Sequence, residues 1–285
     1  MDTALDMFRK AQESLARAGI DDPVREAEMI LSFCLATDRA VLYRDNPRVS
    51  PGNASKIKEY VKRRLNREPM QYILGFTEFC GLKIKVGPGV LVPRPETEIL
   101  AEEAIKVISG FDARMPDCNI LDLCTGTGCL ALAIAKEFPA AHVYATDISE
   151  AAINYSRTNA ELNRIENIIF LKGSLFEPVE NRLRFNLIIS NPPYIKRDDI
   201  NRLQPEIRDY EPVEALDGGE DGLSYYRSII PASGEYLKRD GILMLEIGFG
   251  QADEIKSIGE QAGLARISLL RDYSGIERIF IAEKE

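Results

Sequence analysis

Four consecutive residues, Asn191-Pro192-Pro193-Tyr194, combine the chemical types needed to hold a planar group that carries an NH2. The two prolines fix φ and donate no backbone hydrogen bonds, so the chain is stiff and its carbonyls stay free to accept. Asn191 adds a side-chain carbonyl, and Tyr194 adds a flat aromatic wall. A carboxamide or an exocyclic amine fits such an acceptor notch. The plainer reading is a strand-ending turn, since Asn-Pro often opens turns.

A second motif is Asn119-Ile-Leu-Asp-Leu-Cys-Thr-Gly-Thr-Gly128, an apolar strand running into a Gly-x-Gly turn before a helix. Glycines let the backbone approach a ligand, and a helix N-terminus offers free N–H groups. The following strand ends at Asp147, close to the offset of about twenty residues at which a carboxylate takes a ribose hydroxyl pair. Ala131 stands where a dinucleotide fingerprint has its third glycine, which argues against NAD and for a smaller adenosine ligand. S-adenosylmethionine carries no pyrophosphate and is cationic at sulfur. Asp122 could face its charged methionine portion, the alternative being a turn cap.

These residues need elements to position them. From about Pro93 onward the pattern alternates, with strands near 119–124, 141–146, 168–172, 185–190 and 241–247 and helices near 96–108, 128–137, 149–163, 223–238 and 251–262. Two late strands follow, near 264–270 and 277–283. Such alternation predicts an α/β fold, a mainly parallel seven-stranded sheet covered by helices, with ligands at the carboxyl ends of strands. Asp122, Asp147, the Ser174 loop and Asn191 all fall at such ends. Residues 1–70 read as a helical bundle, with Leu5, Phe8, Leu15 and Ala18 on one face. A basic helix over 53–67 carries Lys56, Lys58, Lys62, Arg63, Arg64 and Arg67, either a solvated face or a surface for an acidic partner or RNA. Residues 71–92 read as a strand-like hairpin linker, and 93–285 as the catalytic domain. Pro93-Arg94-Pro95-Glu96 starts a helix. Thr97 and Glu98 either merely begin that helix or belong to a segment that walls the site and holds Arg94 or Glu96 near substrate. Gly218 to Gly222 forms a turn and cap before Leu223.

At 285 residues with 45% hydrophobic content, the chain has room for two domains with real cores. A net charge of −9 disfavours non-specific nucleic-acid or membrane binding. No apolar run reaches transmembrane length, and the N-terminus reads as an amphipathic helix rather than a signal peptide. The five cysteines form no Cys-x-x-Cys pair, and His142 is the only histidine. The expectation is a cytoplasmic chain with reduced thiols, no zinc framework and no histidine base.

Taken together, the motifs resemble the HemK/PrmC family of S-adenosylmethionine-dependent protein glutamine methyltransferases, which act on class I peptide chain release factors. The resemblance covers nearly the whole chain. It is carried also by Pro69-Met-Gln-Tyr-Ile-Leu-Gly75, Leu91-Val-Pro-Arg-Pro-Glu-Thr-Glu98, Ala215-Leu-Asp-Gly-Gly-Glu-Asp-Gly-Leu223, Glu246-Ile-Gly248 and Arg271-Asp-Tyr-Ser-Gly275. It implies a Rossmann-like catalytic domain, a bundle that recognises the release factor, and no metal. The implied substrate notch is Asn191, Pro192, Pro193 and Tyr194. The implied cofactor set is Asp122, Cys124, Thr125, Gly126, Thr127, Gly128, Asp147, Ser174, Leu175 and Asn191. Two departures stand out: the family usually has glycine at Cys124, and aspartate then often tryptophan at Ser174-Leu175.

The residues suggest catalysis by positioning, with methyl transfer leaving S-adenosylhomocysteine. Asn191 and the Pro192 carbonyl would each accept one N–H of the substrate amide, while Tyr194 packs on its plane. Two other readings compete. A nucleic-acid adenine methyltransferase also needs an NH2 notch, but the acidic balance and lack of a target-recognition domain predict no direct DNA binding. The other is a non-catalytic module that uses the basic helix near RNA or the ribosome.

Overall fold

The computed structural model describes residues 2–110 and 118–285, which divide into two compact units. One unit comprises Met1–Gly75 together with the later segment Gln204–Tyr210. Its helices are α1 (Ala4–Arg17), α2 (Pro23–Leu35), α3 (Arg39–Asp45), α4 (Pro51–Leu65) and α5 (Met70–Leu74). Local chemistry sets the starts. Thr3 and Asp6 form a reciprocal capping box, while Asp22, Asp38 and Ser50 each accept the N–H three residues on. Pro23 and Pro51 occupy first-turn positions, where a missing N–H does no harm. Met7, Leu15, Ile30, Leu31 and Ile57 fill the centre of this unit.

The basic helix differs from its expected bounds. It spans Pro51–Leu65 rather than 53–67, because Ser50 caps it early and Arg67 turns to φ +67°. Arg64 is buried, its Nε 2.6 Å from Glu26 and its Nη2 2.8 Å from Glu206. Arg67 also reaches Glu206 at 2.9 Å, Arg63 pairs with Glu68, and Lys56 lies 4.9 Å from the Phe33 ring centre. Lys58 and Lys62 are the members of the run exposed to solvent.

The other unit comprises Phe76–Leu203 and Glu211–Glu285. It opens with an antiparallel hairpin, β1 (Phe76–Phe79) and β2 (Leu82–Lys85). The strand-like reading of 71–92 therefore fails at its start: Gln71 to Leu74 are helical, ended by Gly75 at φ +82°. The run α6 (Pro95–Gly110), β3 (Asn119–Leu123), α7 (Cys129–Glu137), β4 (His142–Asp147), α8 (Glu150–Asn163), β5 (Ile168–Lys172) and β6 (Phe185–Ser190) follows. A connection then carries α9 (Arg197–Ile200), α10 (Pro205–Arg208, within the segment assigned to the helical unit) and a 3-10 turn at Val213–Ala215. The chain ends through α11 (Ser224–Tyr236), β7 (Leu237–Glu246), α12 (Ala252–Gln261), β8 (Ala265–Arg271) and β9 (Glu277–Glu283).

The seven strands are ordered β5-β4-β3-β6-β7-β9-β8. Pairs from β5 through β7 are parallel, and β9 is antiparallel to both β7 and β8. The parallel strands are nearly continuous apolar runs, as sheets covered on both faces require. Strand β7 begins at Leu237 rather than near 241, with a register shift against β6. The order reverses between β3 and β6, and the crevice beyond the carboxyl ends at such a reversal is where doubly wound sheets hold ligands.

Candidate functional site

At that reversal Leu123 and Ser190 are register partners, and the Ser190 hydroxyl donates to the Leu123 carbonyl at 2.7 Å. The next residues outward are Cys124 of the glycine loop and Asn191 of the Pro-Pro segment. Both motifs therefore leave neighbouring strand ends side by side. Asp147 ends β4, and the Ser174 loop follows β5, with Gly173 N–H donating to the Asp147 carbonyl at 2.9 Å.

The glycine loop is tied down by carboxylates. Asp147 Oδ2 accepts Gly126 N–H at 2.8 Å and its Oδ1 accepts Ser149 N–H at 2.9 Å. Asp122 Oδ2 accepts the Thr125 hydroxyl at 2.5 Å and Ala131 N–H at 3.3 Å. Asp122 Oδ1 is buried with no donor among the described residues. Burial pushes Asp122 up to about 7 and raises Asp147 as well. An acid already sits at the N-terminus of α7, so a phosphate would be repelled there and a cation favoured. That donor set fits a cationic adenosine ligand better than a dinucleotide. Thr127 is buried in the same turn. A Cβ on Gly128 would come within 2.9 Å of Ser156 on α8, so this glycine serves helix packing.

The two departures from the family pattern share a backbone property. Cys124 has φ +56° and Leu175 has φ +48°, a region that ordinary side chains enter at a cost. Burial drives the Cys124 thiol well above its usual range, so it is not an available thiolate. All five cysteines are free.

The Pro-Pro segment is held from behind. Asn191 is half-buried, and its Nδ2 donates to Thr97 Oγ1 at 3.0 Å. Thr97 in turn donates to Glu246 Oε2 at 2.7 Å, and the Tyr194 hydroxyl donates to Glu246 Oε1 at 3.2 Å. Pro192 and Pro193 are buried. Gln251 Nε2 donates to the carbonyls of Tyr194 at 3.0 Å and Gly222 at 3.1 Å. A Cβ on Gly248 would sit 3.0 Å from Tyr194 Cδ2, and one on Gly218 2.8 Å from Tyr194 Cα, which explains the glycines in those blocks. Ile195 pairs with the 216–218 strand-like stretch through bonds of 3.0 and 2.8 Å. A cleft of about 360 Å³ opens beside Tyr194, walled by Leu223 and Phe249 and edged by Lys196, Asp221 and Arg227.

Sequence reasoning gave no role to Thr97, Glu246 or Gln251. Thr97 read as a helix start, and the signal for Glu246 was an acid ending an apolar run within the block Glu246-Ile-Gly248. Arg94 and Glu96 had no assigned role either; Arg94 bonds the buried Glu211 at 2.6 Å, a scaffold contact. Among the described residues no His, Cys, Asp and Glu group is arranged to hold a metal, and no helix is long and apolar enough to cross a membrane.

Comparison with known proteins adds independent findings. Residues 6–75 match the PrmC N-terminal domain, and residues 106–205 match the methyltransferase small domain. A release factor glutamine methyltransferase of Thermodesulfovibrio yellowstonii is 47% identical, covering 92% of each chain. One from Geobacter sulfurreducens is 44% identical over 93% of this chain and 91% of its own. Among solved structures, a methyltransferase of Pyrococcus furiosus is similar at a TM-score of 0.52 and 22% identity, covering 72% of this chain and 89% of that one. That last likeness shows the fold.

Proposed function

The chain belongs to the release factor glutamine methyltransferase family, and on that premise we propose that it methylates the side-chain amide nitrogen of the glutamine in the Gly-Gly-Gln loop of a class I release factor. The methyl donor is S-adenosylmethionine, which supplies a carbon activated by positive sulfur. Asp147 is suited to the ribose hydroxyls, and the unpaired Oδ1 of Asp122 to the positive charge of the methionine portion. The backbone from Cys124 to Gly128 would hold the same ligand, with Ser174, Leu175 and Asn191 beside it.

A carboxamide nitrogen is a weak nucleophile because its lone pair is shared with the carbonyl. The protein therefore acts by orientation and by placing acceptors where positive charge grows. Asn191 Oδ1 and the Pro192 carbonyl each accept one N–H of the glutamine amide. Both bonds strengthen as nitrogen becomes positive, which favours the transition state over the ground state. Tyr194 bounds the amide plane, and its buried hydroxyl stays protonated because burial raises its pKa. The cleft beside Tyr194 is suited to the residues flanking the glutamine, and the bundle to recognising the release factor as a folded partner. Of the basic helix, Lys58 and Lys62 are the exposed cations available for proximity to RNA or the ribosome. The reading places the chain in the cytoplasm, where release factors act.

The observation that carries this proposal is the anchoring of Asn191 through its nitrogen, which leaves its carbonyl oxygen as an acceptor beside the glycine loop. Asn191→Ala is expected to lower single-turnover methylation of a purified release factor by roughly tenfold to a thousandfold, with cofactor affinity by calorimetry little changed. A variant as fast as the parent would remove Asn191 from the chemistry. Mass spectrometry of the glutamine peptide, searching for one added CH2, tests the substrate.

A further inference from the structure

The amide of Asn191 can face its substrate with either end, and only the oxygen end can accept an N–H. The bonds behind it decide which. Thr97 Oγ1 has a single proton and lies between Asn191 at 3.0 Å and Glu246 Oε2 at 2.7 Å. Thr97 and Glu246 are both 2% exposed, so water cannot substitute as a partner. An ionised carboxylate only accepts. Thr97 must therefore spend its proton on Glu246, and its lone pairs can then only receive a donor from Asn191. That donor is Nδ2, and Oδ1 is turned outward. If the amide were reversed, Thr97 and Asn191 would oppose lone pair to lone pair.

We propose that Glu246 is a positioning residue that acts through Thr97 to hold the Asn191 amide with its oxygen toward the substrate. This inference rests on the acceptor role given to Asn191 above. Glu246 is itself fixed from other sides, with the Tyr194 hydroxyl on Oε1 at 3.2 Å and the Tyr226 hydroxyl on its backbone carbonyl at 2.9 Å. The titratable groups facing it are Tyr194, Tyr226 on α11, Arg278 on β9, which favours its charge, and Glu96 on α6, which opposes it.

The arrangement carries its own proton dependence. Burial pushes Glu246 up to about 7. Above that pH the carboxylate is ionised and the relay runs from Asn191 to Thr97 to Glu246. Below it a protonated Glu246 can donate to Thr97, whose proton is then free to turn toward Asn191, and the amide is no longer held in one orientation. Turnover at saturating cofactor is therefore lost as pH falls through about 7.

Thr97→Val removes the hydroxyl at constant shape, and Glu246→Gln removes the charge at constant shape. Each is expected to lower kcat roughly tenfold or more, with the KM for S-adenosylmethionine unchanged, and Glu246→Gln also to abolish the acid limb. Thr97→Ser, which keeps the hydroxyl, is expected to restore most of the turnover. The double variant is expected to be no slower than the slower single one, because both break one relay. Should Asn191→Ala be slow while Thr97→Val and Glu246→Gln keep parental kcat, this inference falls and the reading of Asn191 stands. A parental rate in Asn191→Ala removes both. A second readout needs neither turnover nor a variant at the buried positions. In protein carrying 15N-asparagine, the Asn191 side-chain NH2 signal, assigned by its loss in Asn191→Asp, is expected to shift with a midpoint near 7. A signal unmoved between about pH 5.5 and 8.5 overturns the proposal.

Discussion

Arg64 in the helical unit and Asp122 in the sheet unit are similarly hidden from water, at 5% and 0% exposure, yet their surroundings are opposites. Arg64 is enclosed by two carboxylates, Glu26 and Glu206, each within 2.8 Å. Asp122 receives a hydroxyl and one backbone N–H, and no cation among the described residues. Asp147 and Glu246 repeat the second pattern, held by hydrogen bonds and pushed up by burial. A burial that is neutralised in place serves architecture. Carboxylates buried with only neutral donors are poised for a charge that arrives or for a proton that moves, and such groups gather at working sites. The difference teaches which unit does chemistry before any ligand is considered.

The strongest way to break this comparison is Arg64→Ala. Glu26 would lose its cation and Glu206 would keep only Arg67, and the expected loss is about 3 kcal/mol of stability in urea unfolding. A loss below about 1 kcal/mol, the size of an exposed pair, would mean that the clasp is decorative and the contrast false.

A smaller effect sharpens the other side. Asp122 has an ordinary value of 3.8 and a folded one near 7, so the folded state holds its proton through a window where the unfolded chain has lost it. The sign follows: the contribution is present at low pH and is lost as pH rises from about 4 to about 7. Asp147 and Glu246 act in the same direction. For Glu206, burial pulls upward, but its own backbone N–H, Arg64 and Arg67 together hold it below the usual range, giving stability that is lost in acid. The ligand-free protein is expected to melt a few degrees lower at pH 7.5 than at pH 5.5, about 2–4 °C per kcal/mol, with Asp122→Asn showing a flatter slope. A Tm that climbs through this window, equally in parent and variant, would show that Asp122 is not kept neutral. The smallest effect concerns strain. Cys124→Gly places at φ +56° the residue that enters that region freely, and a gain of about 0.5–1 kcal/mol is expected after the extra flexibility of glycine in the unfolded chain. No gain would mean that the cysteine side chain repays its backbone.

The strands of the sheet were legible because they are short apolar runs ending in punctuation, such as Leu187 to Ser190 before Asn191-Pro192, whereas their order across the sheet was not read from the sequence. The two motifs could be assigned to one crevice from that pattern. Helices α3, α5, α9 and α10 were not legible, since none exceeds 7 residues and a periodic face needs more than that to declare itself. Thr97 and Glu246 were present in plain sight but lie 149 positions apart, and nothing local in either residue announces the bond between them. The basic helix misled for a related reason. A run of cations on a helix is usually solvated, but Arg64 pairs with Glu26 on another helix, and Glu206, shared by Arg64 and Arg67, lies on a segment beyond position 200.

That excursion of Gln204–Tyr210 into the helical unit has a consequence for the order in which the molecule is made. Domains tend to fold one after another as the chain emerges, N-terminal first. Here Arg64 waits for Glu206, so helices synthesised before the sheet complete their ionic clasp only after β3 to β6 have appeared. A part of the protein made early is finished late.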